Sequence, residues 1–284
     1  MSTPQPPLPQ TAPAPPCPGY TSPIPVVRTH LGHAIAAEWT KMRSVRSTMW
    51  TLGVFVLLTI GVGLLPALVV VGTDTDLSSG ENPLGTGAFG LLVGSVCLIT
   101  LGVLTMSSEY GTGMIRTTMT ACPNRGRVLA AKSIVFFAVA FVVSLVAITL
   151  VSLADVALLE GHGARQPTGA EWLKGTVGVS LFVALLGLLS LCVGSLLRHS
   201  AGAITVMIGV MLAPLVLALF MFSRALEGVR EFLFEYSLPS QFFVFYGAAL
   251  DEKGPSGWDP LWIVLGLTAA GYAAAHLLLH KRDV

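Results

Sequence analysis

The chain has 284 residues, of which 53 % are hydrophobic and only 11 % charged, with a formal net charge of +1. Soluble domains carry about 25 % charged residues. So apolar a chain cannot be solvated as a globule, and so small a net charge gives no argument for a nucleic-acid partner.

Residues 1–28 form a Pro-rich stretch in which Pro4, Pro6, Pro7, Pro9, Pro13, Pro15, Pro16, Pro18, Pro23 and Pro25 forbid helix and core. No basic segment followed by an apolar run marks a cleaved signal peptide. We expect a disordered cytoplasmic tail, with a PxxP ligand role as its alternative reading. The remainder, residues 29–284, is expected to be one all-α unit.

Residues 31–48 come next. At about 100° per residue, Leu31, Ile35, Met42, Val45 and Met49 share a face, with Lys41 and Arg43 to either side. This pattern predicts an amphipathic helix lying in the membrane interface. Glu38 interrupts its apolar stripe. It either snorkels or pairs with Lys41 on the adjacent turn, or meets a cation from a neighbouring helix or a partner subunit.

Crossing the hydrocarbon core takes about 20 apolar residues. Six stretches qualify, at 49–71, 88–106, 134–154, 176–197, 201–222 and 261–279, and none contains Lys, Arg, Asp or Glu. Pro66 and Pro214 predict kinks. Gly90 and Gly94 form a GxxxG face suited to close helix packing. With the N-terminus inside, the inner segments hold 11 of the 16 Lys and Arg residues and the outer segments 5. Basic residues beside spans set orientation, so both termini are expected in the cytoplasm, and six is the span count that keeps Lys281 and Arg282 there.

The inner connection after the second span runs from Ser107 to Lys132. Ser108 and Glu109 are expected to start a short helix and Pro123-Asn124 to end it. It is either an ordinary basic inner loop or a docking element for a cytoplasmic partner. Asp155 lies at the outer end of the third span, where nearness to the surface predicts hydration, with a substrate or proton contact as the alternative. The last outer segment, 223–260, carries Phe232, Phe234, Tyr236, Phe242, Phe243, Phe245 and Tyr246 around Pro239. Two short helices broken at Pro239 and dipping into the outer interface are expected, as an aromatic belt or as a gate.

Two motifs are decoys. Gly85-Thr86-Gly87-Ala88-Phe89-Gly90 matches GxGxxG but lacks the preceding strand of a dinucleotide fold, and the run from Gly126 to Ser133 has Ala131 where a phosphate-binding loop needs its second glycine. Cys17, Cys97, Cys122 and Cys192 have no zinc spacing, His30 and His33 lack companion ligands, and no catalytic constellation is seen. No cofactor, metal or enzymatic activity is therefore expected of this chain.

The run Glu38-Trp39-Thr40-Lys41-Met42-Arg43-Ser44 resembles the interface helix of type-two ATP-binding cassette (ABC) exporter permeases. Glu109-Tyr110-Gly111-Thr112, followed by Arg116, Pro123, Arg125 and Lys132, resembles that family's loop between the second and third spans. The six-span layout and aromatic outer segment agree, whereas the long Pro-rich tail departs from the family pattern. The resemblance implies a dimer of two permease copies in a bacterial cell membrane, each driven by a separate cytoplasmic ATPase subunit. It implies that the loop holding Glu109, Tyr110, Gly111, Thr112 and Arg116 is the coupling element, that Arg198 lies at a second contact, and that Phe232, Tyr236, Pro239 and Phe243 belong to an outer gate. It further implies export of a drug, lipid or peptide. A transporter driven by an ion gradient and a membrane anchoring or assembly protein are the competing readings.

Overall fold

A computed structural model describes residues 30–75, 82–122, 124–247 and 254–281. The Pro-rich tail, Glu81, Pro123, Lys253, Arg282 and Asp283 lie outside the described residues. Those described form an all-α fold without a strand.

The amphipathic helix α1 spans Leu31–Ser44 and α2 Arg46–Thr73, with Val45 in extended conformation between them. The sequence expectation of one helix to Thr48 is corrected here: Ser47 and Thr48 lie in the first turn of the long apolar helix. The α2 helix runs through Pro66 and ends where Asp74 turns left-handed, at φ 49°. A short 3-10 turn, Pro83–Gly85, is fixed by the Asn82 side chain accepting from the Leu84 N–H at 3.1 Å. It leads into α3, Ala88–Gly111.

The break after α3 is made by Gly113, at φ 72°, a conformation that glycine adopts without a steric penalty. The short helix of the inner connection, α4, is therefore Met114–Ala121. Ser108 and Glu109 do not start it; they lie in the last turns of α3, whose helical run continues past its apolar stretch. Asn124 then caps α5, Arg125–Leu158, by accepting from the Arg127 N–H at 3.0 Å. The Gly126–Ser133 run lies within this continuous helix.

A capping box on Thr168 and Glu171 opens α6, Gly169–Trp172. One π-helical segment, Leu173–Gly178, carries it into α7, Val179–Leu197. Arg198, at φ 55°, and His199 make the whole connection to α8, Ser200–Phe220, and the His199 ring accepts from the Gly202 N–H at 3.1 Å. After a 3-10 turn at Arg224–Leu226 come α9, Glu227–Glu235, α10, Leu238–Val244, and α11, Asp259–Lys281. The chain breaks at Ser237, which caps α10, and not at Pro239; in the first turn of a helix proline's missing N–H has no partner to lose.

Six helical stretches are long and apolar enough to cross a membrane: 46–73, 83–111, 125–158, 169–197, 200–220 and 259–281. They coincide in position with the six expected spans. The third starts nine residues earlier than expected and carries Lys132 inside the helix. Two of the six are central. In the most apolar window of α7, 72 % of residues are buried, and in that of α3, 61 %, against 22 % for α2 and α8 and 17 % for α11. Around the α3–α7 pair, α2 packs on α3 and α5, and α5 and α11 pack on α7.

Small residues set the closeness of the central pair. A Cβ on Gly102 of α3 would stand 2.3 Å from the Gly187 carbonyl oxygen of α7, and one on Gly90 would stand 2.2 Å from the Thr59 carbonyl oxygen of α2. Gly94 faces side chains instead: a Cβ there would stand 2.6 Å from Thr59 Oγ1 and 3.1 Å from the Phe55 ring. Pairing of backbones at this distance is what small residues make possible where no water drives association.

Candidate functional site

The helix ends form two polar layers. At one end lie the N-termini of α2, α5 and α8 and the C-termini of α3, α7 and α11. At this end four charged side chains from three helices meet. Lys132 of α5 donates to Glu38 Oε2 of α1 and Glu109 Oε1 of α3, both at 2.8 Å. Lys41 of α1 donates to Glu38 Oε1 and to the same Glu109 Oε1, also at 2.8 Å. The four formal charges cancel, as buried charges must if they are not to be neutralised by titration. The Lys132 side chain is 2 % exposed, those of Glu109 and Glu38 are 6 % and 7 %, and that of Lys41 is 31 %. Burial lowers the affinity of Lys41 for its proton, but hydrogen bonds and charge from Glu109 and Glu38 outweigh it, so its pKa rises above the ordinary 10.5.

This cluster resolves the odd placement of Glu38. Both alternatives hold together: it pairs with Lys41 one turn on and with a cation from a neighbouring helix. The stripe of α1 that includes Glu38 and Met42 faces protein, while Leu31, Val45 and Met49 are exposed. Arg43 is exposed and outside the cluster. Sequence reading named Lys132 as a base of the inner connection but not as a partner of Glu38. Its signal was present: Lys132 is the eighth residue of a long helix whose other charged residue from Val128 on is Asp155 near the far end, so it needs a partner carboxylate.

Beside the cluster, Tyr110 packs its ring under the Arg198 guanidinium, with Cζ 4.9 Å from the ring centroid. The contact joins the end of α3 to the α7–α8 turn. Arg125 donates to the Leu279 carbonyl at 2.6 Å, tying the first turn of α5 to the last turns of α11. Gly111, Thr112 and Arg116 are exposed, whereas Ile115 holds α4 against the body. The expected coupling residues therefore divide. Glu109 is buried in the ion cluster, Tyr110 and Arg198 form a lateral contact, and Gly111, Thr112 and Arg116 face outward.

At the opposite end the aromatic segment divides as well. Pro239 is buried and Phe243 half-buried against Phe89, with ring centroids 4.9 Å apart. Phe182 of α7 meets Phe242 and Phe245 edge-on, at 5.9 and 5.7 Å. Tyr246 donates to the Gly175 carbonyl at 3.0 Å inside the π-helical segment. Phe232 of α9 and Tyr236 at its end stack on each other at 4.6 Å and remain exposed. A cavity of about 550 Å³ lies between α9 and the end of α8, lined in part by Arg230, Glu231 and Phe222.

Asp155 is corrected. It is fully buried, not hydrated, and accepts from Thr86 Oγ1 at 2.9 Å. Its Oδ1 has no hydrogen-bond partner among the described residues. The glycine-rich run thus serves as a helix entry: a Cβ on Gly87 would stand 2.8 Å from Asp155 Oδ2. No known family model and no curated protein matches the chain.

Proposed function

We propose that this chain is the membrane-spanning permease subunit of an ABC exporter, placed in a bacterial cell membrane with both termini in the cytoplasm. Two copies form the pathway, and a separate cytoplasmic ATPase drives them. The substrate class is a drug, lipid or peptide.

The observation that carries this reading is the cluster of Glu38, Lys41, Glu109 and Lys132. It clamps the interface helix α1 to α3 and α5 directly behind the exposed α4. Coupling between distant sites needs an element whose movement is passed to its neighbours by packed contacts. A push on α4 at Arg116 passes through Gly113 and Thr112 to Glu109 at the end of α3, and through Lys132 it reaches α5 and α1. The charge pattern supports the same side for the motor, since the basic excess gathers at this end.

The test is ATP-dependent export in vesicles containing the chain with its ATPase. Replacing exposed Arg116 by Ala is expected to lower export about tenfold, within the range of coupling energies between sites, with membrane levels unchanged. Wild-type export by that variant would remove α4 from the coupling path. Absence of any ATPase co-purifying in equal amount would remove the ABC reading itself.

One observation favours a second reading, a transporter driven by an ion gradient: the buried Asp155 carboxylate with its unpartnered oxygen. Export abolished by collapsing the proton gradient, and indifferent to ATP, would select it.

A further inference from the structure

Three acids are buried among the described residues. Glu38 and Glu109 hold lysines, whereas Asp155 enters no ion pair there. It lies near the end of α5, at the end of the bundle away from the ion cluster. Glycines let the neighbouring backbone close over it. A Cβ on Gly87 would stand 2.5 Å from Val151 Cγ1, and one on Gly63 of α2 would stand 3.0 Å from the same atom. Tyr246, just past α10, has its Cβ 3.6 Å from the Cβ position of Gly85 and donates to the Gly175 carbonyl at 3.0 Å.

Little around this carboxyl can ionise. No titratable side chain lies between Arg46 and Asp74 on α2, between Lys132 and Asp155 on α5, or in the turn from Asn82 to Gly87. The buried Tyr246 phenol faces it. Lys174 of the π-helical segment stands at Gly257 instead, its Nζ 3.9 Å from that Cβ position. Glu160 is exposed.

The hydrogens do not add up for a carboxylate. Thr86 Oγ1 lies 2.6 Å from the Pro83 carbonyl oxygen and 2.9 Å from Asp155 Oδ2. Both are full O–H···O distances, yet a hydroxyl has one hydrogen to give. Thr268, which shares its one hydrogen between two carbonyls, shows 2.7 and 3.2 Å, and the longer arm lies outside that range. A carboxylate cannot supply the second hydrogen beside Thr86; a carboxylic acid can. With the proton on Oδ2, Thr86 donates to Pro83 and Asp155 donates to Thr86. Oδ1 is then a neutral carbonyl oxygen, and its want of a partner costs less than it would for an anion. The Gly87 N–H that faces the carboxyl still finds a lone pair on Oδ2.

We propose that Asp155 is a proton-binding site, occupied at neutral pH, whose carboxylic acid ties the turn before α3 to the end of α5 by donating to Thr86. Loss of the proton removes that bond and leaves a buried anion with no base beside it. The tied form holds one proton more than the parted form, so raising the pH favours parting. The proposal rests on the packing of these helices and on neither transport reading.

The experiment uses the full chain in detergent, with its aspartates labelled with heavy carbon at the carboxyl. Infrared spectra at neutral pH should show one isotope-shifted aspartic-acid C=O band per chain, at the high-frequency end where unpartnered carbonyls absorb. Asp155→Asn, whose amide can donate to Thr86 in the same way, should lose the band and keep the wild-type melting temperature. Alkaline buffer should bleach the band in the wild type. Over the same range, hydrogen exchange in the peptide holding Thr86 and Gly87, corrected for the base dependence of exchange itself, should rise about tenfold, the order of one hydrogen bond. In Asp155→Asn it should not respond to pH.

Absence of an aspartic-acid band at neutral pH, or a band that survives in Asp155→Asn, would overturn the proton site. Exchange that ignores the bleaching of the band would overturn the tie to Thr86. Should Asp155→Asn fail to fold, the wild-type spectrum and exchange still decide, since Asp74 and Asp259 are exposed and give no acid band at neutral pH.

Discussion

Lys132 and Lys41 do the same bonding in different surroundings, and the difference decides what each is worth. Each ammonium holds Glu38 and Glu109, but Lys132 is almost wholly buried and Lys41 is nearly one-third exposed. Removing one member of a buried ion group strands its partners, at about 3–5 kcal/mol, whereas an exposed pair contributes at most about 1 kcal/mol. Lys132→Met is therefore expected to destabilise the protein by about 3 kcal/mol, and Lys41→Met by about 1 kcal/mol. Thermal unfolding of the two variants in detergent checks this; equal shifts would mean that the cluster has no buried side. The sign of the pH effect follows from the raised pKa of Lys41. Its contribution is complete below the ordinary lysine value of 10.5 and is lost as pH rises through the higher folded value. Wild-type stability should accordingly fall more steeply than that of Lys41→Met above pH 10.5.

Contact between helices is set by glycines whose missing side chains face backbone. At Gly90 and Gly102 a methyl group would meet main-chain atoms at 2.2 to 2.4 Å, and a helix backbone cannot yield as a side chain can. Gly53, on the same α2 that Gly90 packs against, has open space where its Cβ would stand. Gly90→Ala and Gly102→Ala should each cost about 3 kcal/mol or more, the upper range for overpacking, while Gly53→Ala should be neutral or slightly stabilising through helix propensity. Melting temperatures or denaturant titration in detergent would separate them, and a tolerated Gly102→Ala would mean that α3 and α7 are not held by backbone contact. Much at this scale was legible beforehand. Long apolar runs gave the spans, and the Gly90–Gly94 spacing gave a packing face, because both are properties of one helix. Helix ends were less legible. The apolar run of α3 fades near Met106, yet its hydrogen bonding continues to Gly111, where Gly113 supplies the turn. The ion cluster was half legible: Glu38 looked misplaced in an apolar stripe, but its second partner stands 94 residues away. Likewise the Arg125–Leu279 bond spans 154 residues, and nothing local in the chain announces it.

For the molecule as a whole, the coupling role proposed for α4 turns on which polar layer faces the cytoplasm. Alternation of six spans places the N-termini of α2, α5 and α8 in one layer and those of α3, α7 and α11 in the other. The first layer holds Lys41, Arg43, Arg46, Arg116, Arg125, Arg127, Lys132 and Arg198. The second holds Asp155, Glu160, Glu171, Glu227, Glu231, Glu235 and Asp259, with few bases among them. Basic residues are retained on the cytoplasmic side during insertion, and acids have little influence, so the ion cluster and α4 should face the cytoplasm. Single cysteines in a background without the four native ones test this directly. Thr117→Cys lies on exposed α4, and Gln166→Cys on the exposed connection before α6. A thiol reagent that cannot cross the membrane, applied to intact cells, should label Gln166→Cys and spare Thr117→Cys until the cells are opened. The reverse pattern would put α4 outside, away from any ATP-hydrolysing partner.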